Sequence, residues 1–175
     1  MSQEIVRPRI AWANGQDIFG YGVHQRFLQE KGIEVVRYRH ALKLLDACKE
    51  QKYPLIVTDI ELAPGEGYRE DSAFAKIMGR AHHRCNPDYS EIALQMIREI
   101  RAIDTHYAQI PILIATITSP ETDGLYPLAE KHALEAGATE YYCTFTEKVS
   151  VHDLTDKIAR YVRNPSSFCK THPQK

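Results

Sequence analysis

A short apolar run that ends on a carboxylate constrains this chain more than any other stretch: YPLIVTDIELAPG, residues 53–65. The apolar part is too short for a helix and too apolar for a half-exposed strand. It therefore predicts a central strand of a parallel sheet that is covered on both faces. Asp59 then lies at the carboxyl end of this strand, just before a Pro-Gly turn. Because ligands collect at that edge in open α/β sheets, Asp59 is the first candidate functional residue.

Strand and helix patterns alternate along the rest of the chain. The other predicted strands are residues 9–13, 33–38, 109–116 and 138–144. The predicted helices cover residues 18–31, 41–51 and 126–136, and two more begin near residues 90 and 151. Strands that alternate with helices five times predict a doubly wound α/β sandwich with right-handed crossovers.

Apolar spacing also predicts which helix faces are buried. In the first helix the shared face carries Phe19, Val23, Phe27 and Leu28. In the second helix it carries Ala41, Leu44, Leu45 and Cys48. Ser150 and Asp153 have the spacing of a capping box, which predicts that the last helix begins there.

Composition limits the classes of function. The 175 residues are 43% apolar and 26% charged, which predicts one globular domain over residues 1–163 and a polar tail over residues 164–175. A formal net charge of −1 gives no support for nucleic-acid binding. No apolar run is long enough for a membrane span, and the first residues lack a signal-peptide pattern, so we expect a cytoplasmic protein. The four widely spaced cysteines are expected to be reduced.

Several motifs, in their order and spacing, resemble the receiver domain of two-component response regulators. They are PLIVTD with the following PG (residues 54–65), LQMIREIR (94–101), IPILIAT (110–116) and ALEAGA (133–138). The resemblance covers roughly residues 7–162, apart from residues 66–90. It implies a flavodoxin-like fold with a five-stranded parallel sheet in the order 2-1-3-4-5. It also implies that Asp59 is the phosphoacceptor, and that Thr116 and Tyr141 are the switch residues.

The chain departs from the family pattern at the positions that support phosphorylation. Receivers hold a magnesium ion with an acidic pair after the first strand, because the ion offsets repulsion between carboxylates and the incoming phosphoryl group. Here that turn reads Asn14-Gly15. The family's lysine after the fifth strand is replaced by Thr144, with Lys148 four residues later. We therefore expect no metal site and no cofactor, with magnesium relevant only if Asp59 is nevertheless phosphorylated.

The remaining family residues have alternative interpretations. Asp59 is either a phosphoacceptor or a carboxylate that caps the next turn by accepting backbone N–H bonds. Thr116 and Tyr141 are either switch residues or ordinary strand residues. Glu61 either replaces a metal ligand from another direction or is a solvated loop residue.

Residues 66–90 form an insertion relative to the receiver pattern. A structureless loop of this length is unusual in a compact domain, so it is expected to be functional or to have structure of its own. Asp71 or Ser72 can cap a short helix that carries an apolar patch of Phe74, Ile77 and Met78. The patch either folds back towards the Asp59 edge or docks on another protein. We assign these three residues to partner binding.

A histidine and cysteine cluster within the insertion, His82-His83-Arg84-Cys85, offers metal donors. Zinc sites favour ligand pairs two to four residues apart and need a fourth ligand, for which only Cys169 and His172 are of the right type. A solvated, partly cationic loop is the preferred interpretation, and no metal is assigned. The nucleotide-binding, P-loop, serine-hydrolase and Cys-x-x-Cys motifs are absent from the sequence.

Together these observations predict a stand-alone pseudo-receiver signalling module that binds protein partners and has no enzymatic activity. The first alternative is a true single-domain response regulator phosphorylated on Asp59. The second is a ligand-binding or hydrolytic flavodoxin-like protein. A homodimer would use the face built from the family's fourth helix, fifth strand and fifth helix, with Tyr141 and Tyr161 as aromatic anchors.

Overall fold

A computed structural model describes residues 7–15, 21–67, 69–82, 89–116, 129–143 and 150–164. Its strands are β1 (Arg9–Ala13), β2 (Glu34–Tyr38), β3 (Ile56–Thr58), β4 (Ile112–Thr116) and β5 (Glu140–Cys143). Its helices are α1 (Tyr21–Glu30), α2 (Ala41–Glu50), α3 (Ala73–His82), α4 (Tyr89–Arg101), α5 (Thr105–Gln109), α6 (Ala129–Ala136) and α7 (Val151–Arg163).

The five strands form one parallel sheet in the order β2-β1-β3-β4-β5, which confirms the predicted fold class. Ala13 lies opposite Thr58 in the β1–β3 pair, and Thr58 lies opposite Ile114 in the β3–β4 pair. This register brings the carboxyl ends of β1, β3 and β4 to the same edge of the sheet, where Asp59 follows β3.

Apolar side chains cover both faces of the sheet, because alternate strand residues point to opposite sides. One core contains Trp12 and Val57 from the sheet with Leu28 and Ile158 from α1 and α7. The other core joins Ile56 and Ile114 to residues of α2, α4 and α6. Burial on both sides explains why β3 is an almost continuous apolar run.

Helix α1 turns a different face to the core than the sequence predicted. Val23 is 44% exposed, whereas His24 and Leu28 are buried. Phe27 is half-buried against His152, and Phe19 lies outside the described residues. The His24 ring packs 5.5 Å from the Trp12 ring, and burial lowers the pKa of His24 to about 4. The neutral imidazole of His24 is therefore in the core, where the apolar pattern had predicted Val23.

Other predicted helix features are confirmed. Helix α2 buries the face formed by Ala41, Leu44, Leu45 and Cys48. The Ser150 hydroxyl accepts a hydrogen bond from the Asp153 amide at 3.1 Å, and the Ser150 amide donates to the Asp153 carboxylate at 3.0 Å. These two bonds complete the capping box at the start of α7. No helix in the described ranges is long and apolar enough to cross a membrane.

The connection between α4 and β4 contains a short helix that the sequence did not predict. Helix α5 is N-capped by Asp104, whose carboxylate accepts from the Tyr107 amide at 2.9 Å. The side chain of Arg101, at the end of α4, donates to the carbonyls of Tyr107 at 2.8 Å and Ile110 at 2.6 Å. It also donates twice to the Gly137 carbonyl, at 2.9 and 2.7 Å. Arg101 thus ties α4 to both the α5–β4 and α6–β5 connections.

Candidate functional site

Asp59 follows β3 at the edge where three strands end. Its backbone amide donates to the Ala13 carbonyl at 2.9 Å, so the β1–β3 ladder continues through this residue. The residue is only 3% exposed. The sheet therefore holds a carboxyl group at its carboxyl edge and largely excludes water from it.

The Asp59 carboxyl is hydrogen-bonded by groups of its own chain. The Glu61 amide donates to it at 3.3 Å, and the Ile60 amide and Thr116 side chain also form hydrogen bonds with it. Burial nevertheless raises the pKa of Asp59 to about 6, because these bonds offset only part of the lost hydration. The nearby charge of Glu61 raises it further. Asp59 is therefore a buried acid whose hydrogen bonds replace only part of its lost hydration.

The structure brings Asp59, Thr116 and Tyr141 together. Thr116 ends β4 and is buried, and its side chain is hydrogen-bonded to Asp59. Tyr141 lies in β5 and is half-buried against the core. The pKa of its hydroxyl is raised chiefly by burial, and the charges of Cys143, Asp59 and other acids add to the effect. The three predicted residues share one site, while their switch roles stay predictions. Thr144, at the lysine position, lies outside the described residues.

The positions of the family's acidic pair are occupied by an uncharged turn. Asn14 is buried, and its backbone amide donates to the Tyr38 carbonyl at 2.9 Å. At Gly15 an added Cβ would make only ordinary contacts, the nearest being 3.5 Å from the Arg39 carbonyl. Packing therefore does not forbid a side chain here, and the missing acid reflects the sequence and not a lack of space.

The donor set does not match a receiver's magnesium site. Of the acids expected to converge there, Asp59 is present, and Glu61 lies close enough for its charge to raise the Asp59 pKa. Within the described ranges, no group of three or more His, Cys, Asp or Glu side chains is arranged to hold a metal ion. Magnesium favours carboxylates in a near-octahedral set. The residues present do not fit that ion in the way the family pattern requires.

The insertion contains a helix, α3, capped as expected by the Ser72 hydroxyl, which accepts from the Ala75 amide at 3.1 Å. Phe74 is 2% exposed and Ile77 is 9% exposed, and both belong to the same core as α2 and α4. Met78 is half-buried against this core. The chain itself largely covers the side chains of Phe74 and Ile77, and their assignment to partner binding stays a prediction. They attach α3 to the domain.

Two other predictions are the homodimer with Tyr161 as an anchor and the zinc hypothesis. Tyr161 is not an exposed anchor for a homodimer, because it is 1% exposed and donates a hydrogen bond to Glu140. Self-association through this face stays a prediction that depends on Tyr141. In the zinc hypothesis, His83, Arg84, Cys85, Cys169 and His172 all lie outside the described residues, as does the side chain of His82.

No protein-family model matches the sequence, and no curated protein sequence matches it significantly. Solved structures, however, share its fold. A two-component response regulator from Clostridium difficile is 19% identical, with a TM-score of 0.59 over 91% of this chain and 98% of that chain. The receiver domain of a Pseudomonas aeruginosa sensor histidine kinase, solved with magnesium coordinated in its active-site cleft, is 16% identical, with a TM-score of 0.58 over 90% and 99%.

An orphan response regulator of H. pylori is also similar, at 16% identity and a TM-score of 0.56, over 89% of this chain and 97% of that chain. At these identities the similarity establishes the fold. The chain has the fold of response regulator receiver domains, and the chemistry at Asp59 must be argued from its own residues.

Proposed function

We propose that this chain is a pseudo-receiver signalling module, which binds protein partners and does not undergo metal-dependent phosphorylation. The observation that carries the proposal is the turn after β1. Asn14 and Gly15 place no negative charge beside Asp59, although the backbone leaves room for a side chain at Gly15.

Charge repulsion opposes phosphorylation of Asp59. Phosphoryl transfer to a carboxylate brings two anions together, and receivers rely on magnesium to neutralise them. The charge of Glu61 adds repulsion at Asp59, and the hydrogen bonds of the Asp59 carboxyl come from Thr116 and two backbone amides. We therefore assign Asp59 a structural role, in which its carboxyl joins the end of β3 to β4 and to the turn that follows.

Without a phosphorylation switch, signalling requires a binding surface. The insertion provides a feature that the receiver pattern lacks, because α3 is an additional helix fixed to the domain by Phe74 and Ile77. The side of α3 that faces away from the core is available to a partner. We assign partner recognition to this side of α3 and its neighbours.

A second function is favoured by one observation. Thr116 and Tyr141 lie beside Asp59, which is the arrangement that the family resemblance associates with a phosphorylation-dependent switch. A regulator phosphorylated on Asp59 with an altered metal site would retain this group. The two functions differ in one chemical property, the modification of Asp59.

The direct test is incubation of the protein with magnesium and acetyl phosphate, followed by intact-mass measurement at neutral pH. We expect no phosphorylated species, because the Asn14-Gly15 turn lacks the acidic pair that would hold magnesium beside the incoming group. Asp59→Asn is the matched control, since it removes the acceptor while keeping the shape of the side chain. A phosphorylated species in the natural protein that disappears in Asp59→Asn would establish the second function.

A further inference from the structure

A groove lies between the inserted helix α3 and the helices α4 and α6. Its volume is about 440 Å³, and Ala73, Ile77 and Leu94 contribute apolar groups to its lining. The first two come from α3 and the third from α4. Because residues three, four and seven apart lie on one face of a helix, each of these helices presents a continuous stripe to the groove. The groove exists only because the insertion folds against α4.

The rim of the groove is cationic. Lys76 on α3 and Arg98 on α4 line it and are exposed, and His132 on α6 adds a further nitrogen donor. Glu91 is the acidic residue that lines this groove, and the Arg80 guanidinium already binds it at 2.8 Å. Lys76 and Arg98 form no ion pair with any residue of the described ranges. The groove therefore carries positive charge that no residue of the described ranges neutralises.

Several cations elsewhere on the described surface are, by contrast, paired with acids. Lys31 pairs with Asp156 at 2.7 Å, Lys49 pairs with Asp46 at 3.1 Å, and Arg9 pairs with Glu34 at 3.0 Å. Lys76 and Arg98 differ from these three cations, because they line one groove and form no ion pair within the described ranges. Such a surface favours an anionic partner through charge complementarity.

The groove is also held in place before any partner arrives. Phe74 and Ile77 fix α3 in the core, and the Arg80–Glu91 pair joins α3 to α4 across the groove. A preformed groove lowers the entropic cost of binding. The inserted helix thus supplies both a wall and a cation.

We propose that the α3–α4–α6 groove binds an acidic peptide segment of a partner protein, an inference that rests on the proposed function. Carboxylates of the segment pair with Lys76 and Arg98, and an apolar side chain of the segment contacts Ala73 and Leu94. A nucleic acid is disfavoured, because its phosphates require a broad cationic surface, whereas the lining of this groove includes the apolar Ala73, Ile77 and Leu94 and the acidic Glu91.

The experiment uses fluorescent peptides in which glutamates flank leucine, compared with peptides that carry glutamine in place of glutamate. Anisotropy is measured with the natural protein and with the Lys76→Glu/Arg98→Glu variant. We expect the glutamate peptides to bind and the double charge reversal to weaken them by about tenfold or more. Lys43→Glu is the control, because Lys43 is an exposed lysine of α2 that does not line the groove. It should leave binding unchanged.

Four outcomes overturn the proposal. They are equal binding of the glutamine peptides, an equal loss in the Lys43→Glu control, tighter binding of a single-stranded oligonucleotide to the same groove residues, and a failure of all the glutamate peptides to bind. The same titration with Asp59→Asn separates this proposal from the proposed function. Peptide binding that depends on acetyl phosphate and is lost in Asp59→Asn would support the groove and contradict the pseudo-receiver function.

Discussion

Replacement of Arg101 by methionine is expected to lower the free energy of unfolding by about 3 to 5 kcal/mol, because three backbone carbonyls lose their donor. The Arg101 side chain donates to the carbonyls of Tyr107, Ile110 and Gly137. Methionine preserves much of the aliphatic packing, so the loss reports the hydrogen bonds. Urea unfolding followed by circular dichroism measures it.

Arg98→Met is the matched control on the same helix, because Arg98 is exposed and lies one turn before Arg101. It should change the free energy of unfolding by less than about 0.5 kcal/mol. Arg101→Lys should fall between the two, since a lysine ammonium cannot span carbonyls in the way that a planar guanidinium does. Similarly small losses of unfolding free energy in Arg101→Met and Arg98→Met would show that the hydrogen bonds of Arg101 contribute little to stability.

Asp59→Asn is expected to stabilise the protein at pH 8 by about 2 to 3 kcal/mol, since the pKa of Asp59 is raised from 3.8 to about 6 in the folded state. For a group with a raised folded pKa, the associated stability is complete below the unfolded pKa. It is lost as the pH rises through the folded value. The natural protein therefore has the full destabilisation above pH 6, and the advantage of asparagine should disappear near pH 4.

His24 acts in the opposite direction. Burial lowers its pKa from 6.5 to about 4, so its contribution to stability is complete above pH 6.5 and is lost as the pH falls towards 4. The natural protein should show a shallow pH dependence between these values, and Asp59→Asn a steeper loss on acidification. His24→Phe in the Asp59→Asn background should flatten that loss. A pH-independent difference between the natural protein and Asp59→Asn would mean that Asp59 titrates normally.

The fold was predictable because its determinants are local. Apolar runs bounded by turns predicted the strands, and the alternation with helices predicted the sheet. The same reasoning failed where a face depends on its neighbours. In α1, His24 and not Val23 is buried, because the His24 ring packs on Trp12. The spacing of apolar residues within a helix cannot predict a contact with a strand. Helix α5 is five residues long, too short for periodicity, although Asp104 before it is a recognisable N-cap.

The candidate site was predictable in its members and not in its environment. Asp59, Thr116 and the uncharged Asn14-Gly15 turn are visible in the sequence, and parallel strands bring them together. The burial of Asp59 and its raised pKa depend on the packing around it. In the insertion, the sequence predicted the capped helix and its apolar face. It did not show that the chain's own core covers Phe74 and Ile77, and a helical pattern cannot identify what it packs against.

One titration shows directly whether Asp59 belongs to a functional metal and phosphoryl site. Magnesium and beryllofluoride, a phosphoryl mimic, are added while NMR follows the amides of Gly15, Asp59, Glu61 and Thr116. Asn14→Asp/Gly15→Asp is the comparison protein, because aspartate has the same shape as Asn14 and a Cβ at Gly15 makes only ordinary contacts. We expect no saturable shift in the natural protein up to millimolar magnesium, and a saturable shift in Asn14→Asp/Gly15→Asp. A saturable shift in the natural protein that Asp59→Asn abolishes would contradict this expectation.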